Sequence, residues 1–203
     1  MLRAWSIVAI CALPAIAAAQ APGQVPPAPS RAAPATGVRT GWLLGVGLGG
    51  GSITTRSPDG SALDTYDGLA LQLRAGRMVT PRFAIVVDAW TLVHGDGRAA
   101  EQPSEYDGDP DLAHDVVALA GQWWVTPRLW LLGGVGRASY RVRAPGVAYD
   151  SDPAAAVEFA IGYEVARASR VAVDLQFRYA GAHYPADDVD LENAALAVGL
   201  SWY

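Results

Sequence analysis

Lysine is absent from this 203-residue chain, and cysteine occurs once, at Cys11. A single thiol excludes an internal disulfide and any multi-cysteine metal site. Long apolar runs are missing too. A spanning helix needs about 20 consecutive apolar residues, and no segment reaches that length. Basic charge is scarce, with 15 arginines against 20 acids, which makes nucleic acid a poor partner. What the chain has in quantity is apolar side chain, 51% of its residues.

The first residues have the order of an export signal. Arg3 supplies a positive start, Trp5 to Ile16 a short apolar run, and Ala17-Ala18-Ala19 a small-residue cleavage site. Residues 1–19 are therefore expected to leave. Cys11 would leave with them, since Ile10 precedes it where a lipidated cysteine takes a small residue. Loss of Arg3 leaves 14 arginines against 20 acids, a net charge of −6. Residues 20–37, with Pro22, Pro26, Pro27, Pro29 and Pro34, have no periodicity and form an extended linker. The remainder, 38–203, suits one domain.

Within it lie eight strand-like segments at 41–53, 68–79, 83–93, 113–126, 129–142, 154–166, 170–180 and 191–203. A tilted membrane strand needs about 9–11 residues. The odd segments are followed by long polar stretches at 54–67, 94–112, 143–153 and 181–190. The even ones are followed by tight links at Thr80-Pro81, Thr126-Pro127 and Ala168-Ser169. Alternation runs along the segments. Val171, Val173, Leu175, Phe177 and Tyr179 share one face, and Ala172, Asp174, Gln176 and Arg178 the other. No helix or second sheet is available to cover so many apolar faces. Lipid can cover them. The expected fold is all-β, an eight-stranded antiparallel up-and-down transmembrane β-barrel, with short turns and both ends on the periplasmic side. Trp42, Trp123, Trp202 and Tyr203 would form an aromatic girdle there.

On these residues the chain resembles the small bacterial outer-membrane barrels of the OmpA and OmpX type. The most specific part is the alternating end, Leu196-Ala197-Val198-Gly199-Leu200-Ser201-Trp202-Tyr203. It is similar to the aromatic-terminated strand by which such barrels are recognised for insertion, with Tyr203 in place of the usual Phe. The resemblance implies an assembly signal in Gly199, Leu200, Trp202 and Tyr203, and the barrel-assembly machinery as a partner. Outer-membrane lipids and lipopolysaccharide would surround a monomer. The peptidoglycan-binding domain of OmpA is expected to be absent.

Candidate chemistry is thin. Gly45-Val46-Gly47-Leu48-Gly49 precedes strand-forming residues rather than a helix, so it is no dinucleotide loop. Its glycines share a face and would relieve crowding in a narrow barrel. His94, His114 and His183 fall at loop-side ends, as solvated histidines, with no serine spaced to make a nucleophile. Asp107, Asp109 and Asp111 alternate as in calcium loops but lack the later bidentate Glu. They are weak candidates for Ca²⁺ or Mg²⁺, and no other cofactor is expected.

Charge inside the barrel offers sharper tests. A three-residue turn at Arg167-Ala168-Ser169 sets Glu158 opposite Arg178. A three-residue turn at Thr80-Pro81-Arg82 sets Arg74 opposite Asp88, and its repeat at 126–128 turns Arg137 outward. An outward cation costs about 2–4 kcal/mol at the midplane but only about 0–1 near the interface. Arg137 lies near the outer rim, so this geometry is the cheaper one. Arg74, Asp88, Glu158, Asp174 and Arg178 would then make a charged plug across the lumen. The expected function is a non-enzymatic structural, surface-interaction or anchoring barrel with acidic extracellular loops. A narrow channel or carrier for small apolar molecules, and a lipid A-modifying enzyme, are the alternatives.

Overall fold

Strand-forming residues alternate through nearly the whole of the region described by the computed structural model, residues 38–57, 59–95, 110–144 and 146–203. The expected signal and linker, 1–37, lie outside these residues. Among the described residues nine strands form in chain order: β1 Trp42–Arg56, β2 Ala62–Thr80, β3 Phe83–His94, β4 Asp111–Trp124, β5 Leu129–Ala144, β6 Val147–Asp150, β7 Ala154–Ala168, β8 Val171–Tyr184 and β9 Val189–Trp202. Every pairing is antiparallel, and β9 closes on β1. Eight strands make the barrel wall. The ninth, β6, pairs only with the upper part of β5 and forms a hairpin above it. The up-and-down transmembrane-barrel topology is the one expected.

The register fixes the barrel's dimensions. Opposed residues lead from Gly45 through Arg74, Asp88, Ala118, Gly136, Ala156, Ala182 and Leu191 back to Thr55. The circuit returns at 55 after starting at 45, a stagger of ten residues. With a rise of about 3.3 Å and strands about 4.8 Å apart, that stagger implies a tilt of about 41° and a radius of about 8 Å. Such a lumen holds side chains and little else. Inward positions are accordingly small or interlocked. A side chain at Gly47 would come within 2.7 Å of Gln72 Oε1.

The outer wall is apolar. Leu73, Leu119, Val135 and Leu196 are each more than 60% exposed, which water would penalise and lipid does not. Trp42, Trp123 and Trp202 face outward at the short-turn end, as expected of a girdle. Tyr203 does not join them. It turns into the mouth and packs edge-on to Trp124, with ring centroids 5.6 Å apart. Its hydroxyl finds an acceptor there, which lipid could not offer.

Other expectations need correction. The strands outrun the apolar segments, because polar residues pair just as well once the ladder leaves the membrane. The stretch 54–67 is mostly strand, with only 57–61 between β1 and β2. The stretch 143–153 contains β6, and 181–190 shortens to 185–188 between β8 and β9. The repeated Val-Thr-Pro-Arg is not one turn used twice. Both copies bond a Thr hydroxyl to the Arg amide two residues on, at 3.3 Å. The first copy, however, pairs Thr80 with Phe83 and inserts a bulge at Val79. The second is wider and has no bulge, its last pair being Trp124 with Trp130. The bulge restores the offset, so Arg74 still opposes Asp88. Arg137 faces outward.

Candidate functional site

Parity sends every second side chain of the tilted strands into the lumen, where they meet in stacked layers. At the short-turn mouth Glu164 is the hub. Arg39, just before β1, donates to both its oxygens at 2.8 and 2.9 Å and also to the Pro127 carbonyl at 2.7 Å. Trp124 Nε1 and the Tyr203 hydroxyl each donate to Glu164 Oε1 at 2.8 Å. The Arg39 guanidinium lies 4.6 Å from the Trp124 ring centre and 5.3 Å from that of Tyr203. Carboxylate and ring faces thus take the place of water around this buried guanidinium.

Asp88, fully buried, centres the middle layer. It accepts from Gln72 Nε2 at 2.8 Å, from Arg74 Nε at 3.4 Å and from Arg178 Nη2. Arg74 donates onward to Gln122 Oε1 at 2.8 Å. Each guanidinium also rests on an indole, Arg74 on Trp130 at 4.7 Å and Arg178 on Trp90 at 5.2 Å. Arg178 lies 3.6 Å from Glu158. Gln176 bridges Arg178 to Asp174, accepting at 3.2 Å and donating at 2.6 Å. All five residues of the expected cluster are thus inward and buried. Four of them, Arg74, Asp88, Glu158 and Arg178, are in ion-pair contact, and Asp174 joins through Gln176.

The Glu158–Arg178 register was expected two residues too low. Ala160 stands opposite Arg178, and Ala180 opposite Glu158. The turn is Ser169-Arg170, with Ser169 at φ 52°, and β7 carries a bulge at Val165. The two charges meet diagonally instead, which long side chains can do.

The outermost layer is mostly apolar: Ile53, Leu92, Leu112, Val116, Tyr140, Tyr184 and Leu191. His114 belongs to it. The expectation of a solvated loop histidine fails there, because β4 starts at Asp111 and position 114 is an inward strand position, fully buried. Its Nε2 pairs with the Tyr184 hydroxyl at 2.9 Å. His94 bonds the Asp67 carbonyl and His183 bonds Asp190. None of the three meets a serine hydroxyl among the described residues.

Of the weak metal candidates, Asp107 and Asp109 lie outside the described residues, and Asp111 is exposed at the start of β4. No group of three metal-ligating side chains occurs among the described residues. Gly199 faces inward against Gln176 and Asp174, leaving room for that bridge, while Leu200 faces the wall.

A closed barrel of eight spanning strands, with an apolar wall and a polar filled lumen, can now be set beside known proteins. Neisserial surface protein A has a TM-score of 0.56 at 15% identity, over 78% of this chain and 96% of that one. Ail, the attachment invasion locus protein of Yersinia pestis, has 0.51 at 13% identity, over 81% and 100%. The fold is that of the small eight-stranded outer-membrane barrels. At such identities the likeness speaks to architecture alone. No protein-family model matches the chain, and no curated protein matches it.

Lumen residues that the sequence did not single out include Arg39, Gln72, Gln122 and Trp124, while Glu164 was legible only as sharing the face of Glu158. Parity was the available signal for all but the first. Gln72 is two residues from Arg74, and Glu164 is six from Glu158, on the same face in each case. Arg39 precedes its strand and carries no parity.

Proposed function

We propose that this protein spans the bacterial outer membrane as a closed, non-conducting, non-enzymatic barrel that anchors an acidic surface on the outer side. The observation that carries the reading is the middle lumen layer. Asp88, Arg74, Arg178, Glu158 and three glutamines interlock across a space about 8 Å in radius. Wide aqueous channels use sixteen or more strands.

The long-loop rim supports a surface role. Its arginines are largely spent on its own acids: Arg56 on Glu192, Arg141 on Asp115 and Arg143 on Asp150. Asp59, Asp64, Asp67, Asp152 and Asp188 are exposed and make no such pair among the described residues. Ail has been crystallised with the heparin analogue sucrose octasulfate. A polyanion of that kind is repelled by this rim. Cationic partners, or divalent cations bridging to lipopolysaccharide, fit it better.

Planar-bilayer recording tests the closed lumen. The folded full chain is expected to give no stepwise conductance. Reproducible ohmic channels from the wild-type protein would overturn the reading.

A further inference from the structure

Ionisable residues are sorted by end. Outward or turn positions at the short-turn end hold Arg77, Arg82, Arg128 and Arg170, and among the described residues no exposed acid joins them. The nearby acids, Glu164 and Asp174, are buried in the lumen. The opposite end is the acidic rim.

The arginines are held at set stations. The backbone carbonyls of Arg82, Arg128 and Arg170 each accept a hydrogen bond from the next strand, from Trp124, Glu164 and Tyr203 respectively, at 2.8–2.9 Å. Each turn is thereby tied down while its guanidinium projects. The side chains of Arg77, Arg82, Arg128 and Arg170 are exposed and make no ion pair among the described residues. Arg77 adds a direction. It lies in the wall itself, opposite Trp42 on one side and Ile85 on the other, all three facing outward. A cation beside an exposed indole sits where headgroups meet acyl chains.

We infer that this basic collar binds anionic phospholipid headgroups of the inner leaflet. The inference rests on the membrane-spanning reading above. A phosphodiester headgroup has the charge and oxygens that a guanidinium fork accepts. A soluble polyanion at the mouth could reach the turn arginines, but Arg77 points into the lipid wall, which favours lipid. The collar would also fix the depth of the short-turn end, complementing the acidic rim opposite.

Each arginine at an anionic surface raises lipid partitioning by about fivefold, so two sharing a headgroup give about 25-fold. The test refolds the full chain into vesicles of equimolar phosphatidylglycerol and phosphatidylcholine. Native mass spectrometry after mild detergent release then reads the lipids retained. Wild type should keep phosphatidylglycerol over phosphatidylcholine by at least tenfold. The variant Arg77→Gln/Arg82→Gln/Arg128→Gln/Arg170→Gln should fall to near parity, whereas Arg137→Gln at the other end should match wild type. If the quadruple variant does not fold, Arg82→Gln/Arg128→Gln should lose about half the selectivity on a logarithmic scale. Equal retention of both lipids by wild type overturns the proposal, as does full selectivity in the collar variants or its loss in Arg137→Gln. Heat-modifiable gel mobility is read in parallel. Failure to form a barrel in either lipid would instead refute the membrane reading.

Discussion

Replacing Asp88 by leucine removes the one carboxylate that faces two buried arginines. Arg74 and Arg178 are 3% and 1% exposed, so neither can turn to water. Stripping one partner from a buried ion pair costs about 3–5 kcal/mol, because the remaining charge stays buried without compensation. Two details set the value here. Arg178 keeps Glu158 at 3.6 Å, and Arg74 keeps Gln122 at 2.8 Å and the Trp130 face. These contacts blunt the loss without replacing a full charge, so about 3–4 kcal/mol is expected. Asp88→Asn retains an acceptor and should cost less. The triple variant Arg74→Met/Asp88→Leu/Arg178→Met removes all three charges, and it should recover most of the stability if burial of unpaired charge is the cause. Guanidinium unfolding in vesicles, followed by tryptophan fluorescence, measures each. The reasoning is refuted if Asp88→Leu lies within about 1 kcal/mol of wild type, or if the triple variant is less stable than the single.

Three further outcomes follow from the geometry. Gly47→Val drives a side chain into Gln72 and should cost about 1–3 kcal/mol by the same unfolding assay. Gly50→Val faces the wall, where the nearest atom to an added Cβ is 3.7 Å away, and should be neutral. Glu164→Leu leaves Arg39 without its carboxylate, and mass spectrometry should find tryptic cleavage after Arg39 that wild type resists. On the outer hairpin, the Asp187 carboxylate accepts the Tyr149 hydroxyl at 2.6 Å and holds that phenol above its usual range. Because the folded value is raised, the contact is fully present below about pH 10, the unfolded tyrosine value, and is lost as pH rises through the folded one. NMR of ring-labelled tyrosine should show Tyr149 titrating late in wild type and at about 10 in Asp187→Asn.

The barrel was legible because its governing period is local. In β8 the strict exchange of Val171, Val173, Leu175 and Phe177 with Ala172, Asp174, Gln176 and Arg178 states which face is which without any knowledge of neighbours. Lipid on one side and crowding on the other act on each residue separately. Strand ends were less legible, because apolarity stops where the membrane stops, and the ladder does not. β2 runs on through Asp64 and Asp67, paired with Thr55 and Ser52, where water and not lipid is outside. Register slipped where a bulge intervened. Nothing in Tyr163-Glu164-Val165-Ala166 announces that Val165 lacks a partner, and the turn it feeds has Ser169 in a left-handed conformation four residues on.

The plug divides along a different line. Arg74 and Asp88 sit on adjacent strands, so a turn length and an energetic comparison of two faces were enough to pair them. Asp88 with Arg178 is another matter. These residues are 90 positions apart and their strands are not neighbours in the sheet. They meet only because a stagger of ten sets the radius, and the stagger is a sum over every turn and bulge in the circuit. Arg39 with Glu164, 125 positions apart, adds a residue that belongs to no strand. Which charges enter the lumen can thus be read strand by strand. Which of them touch is decided by closure, so the same five inward residues on a wider barrel would ring an open pore rather than plug it.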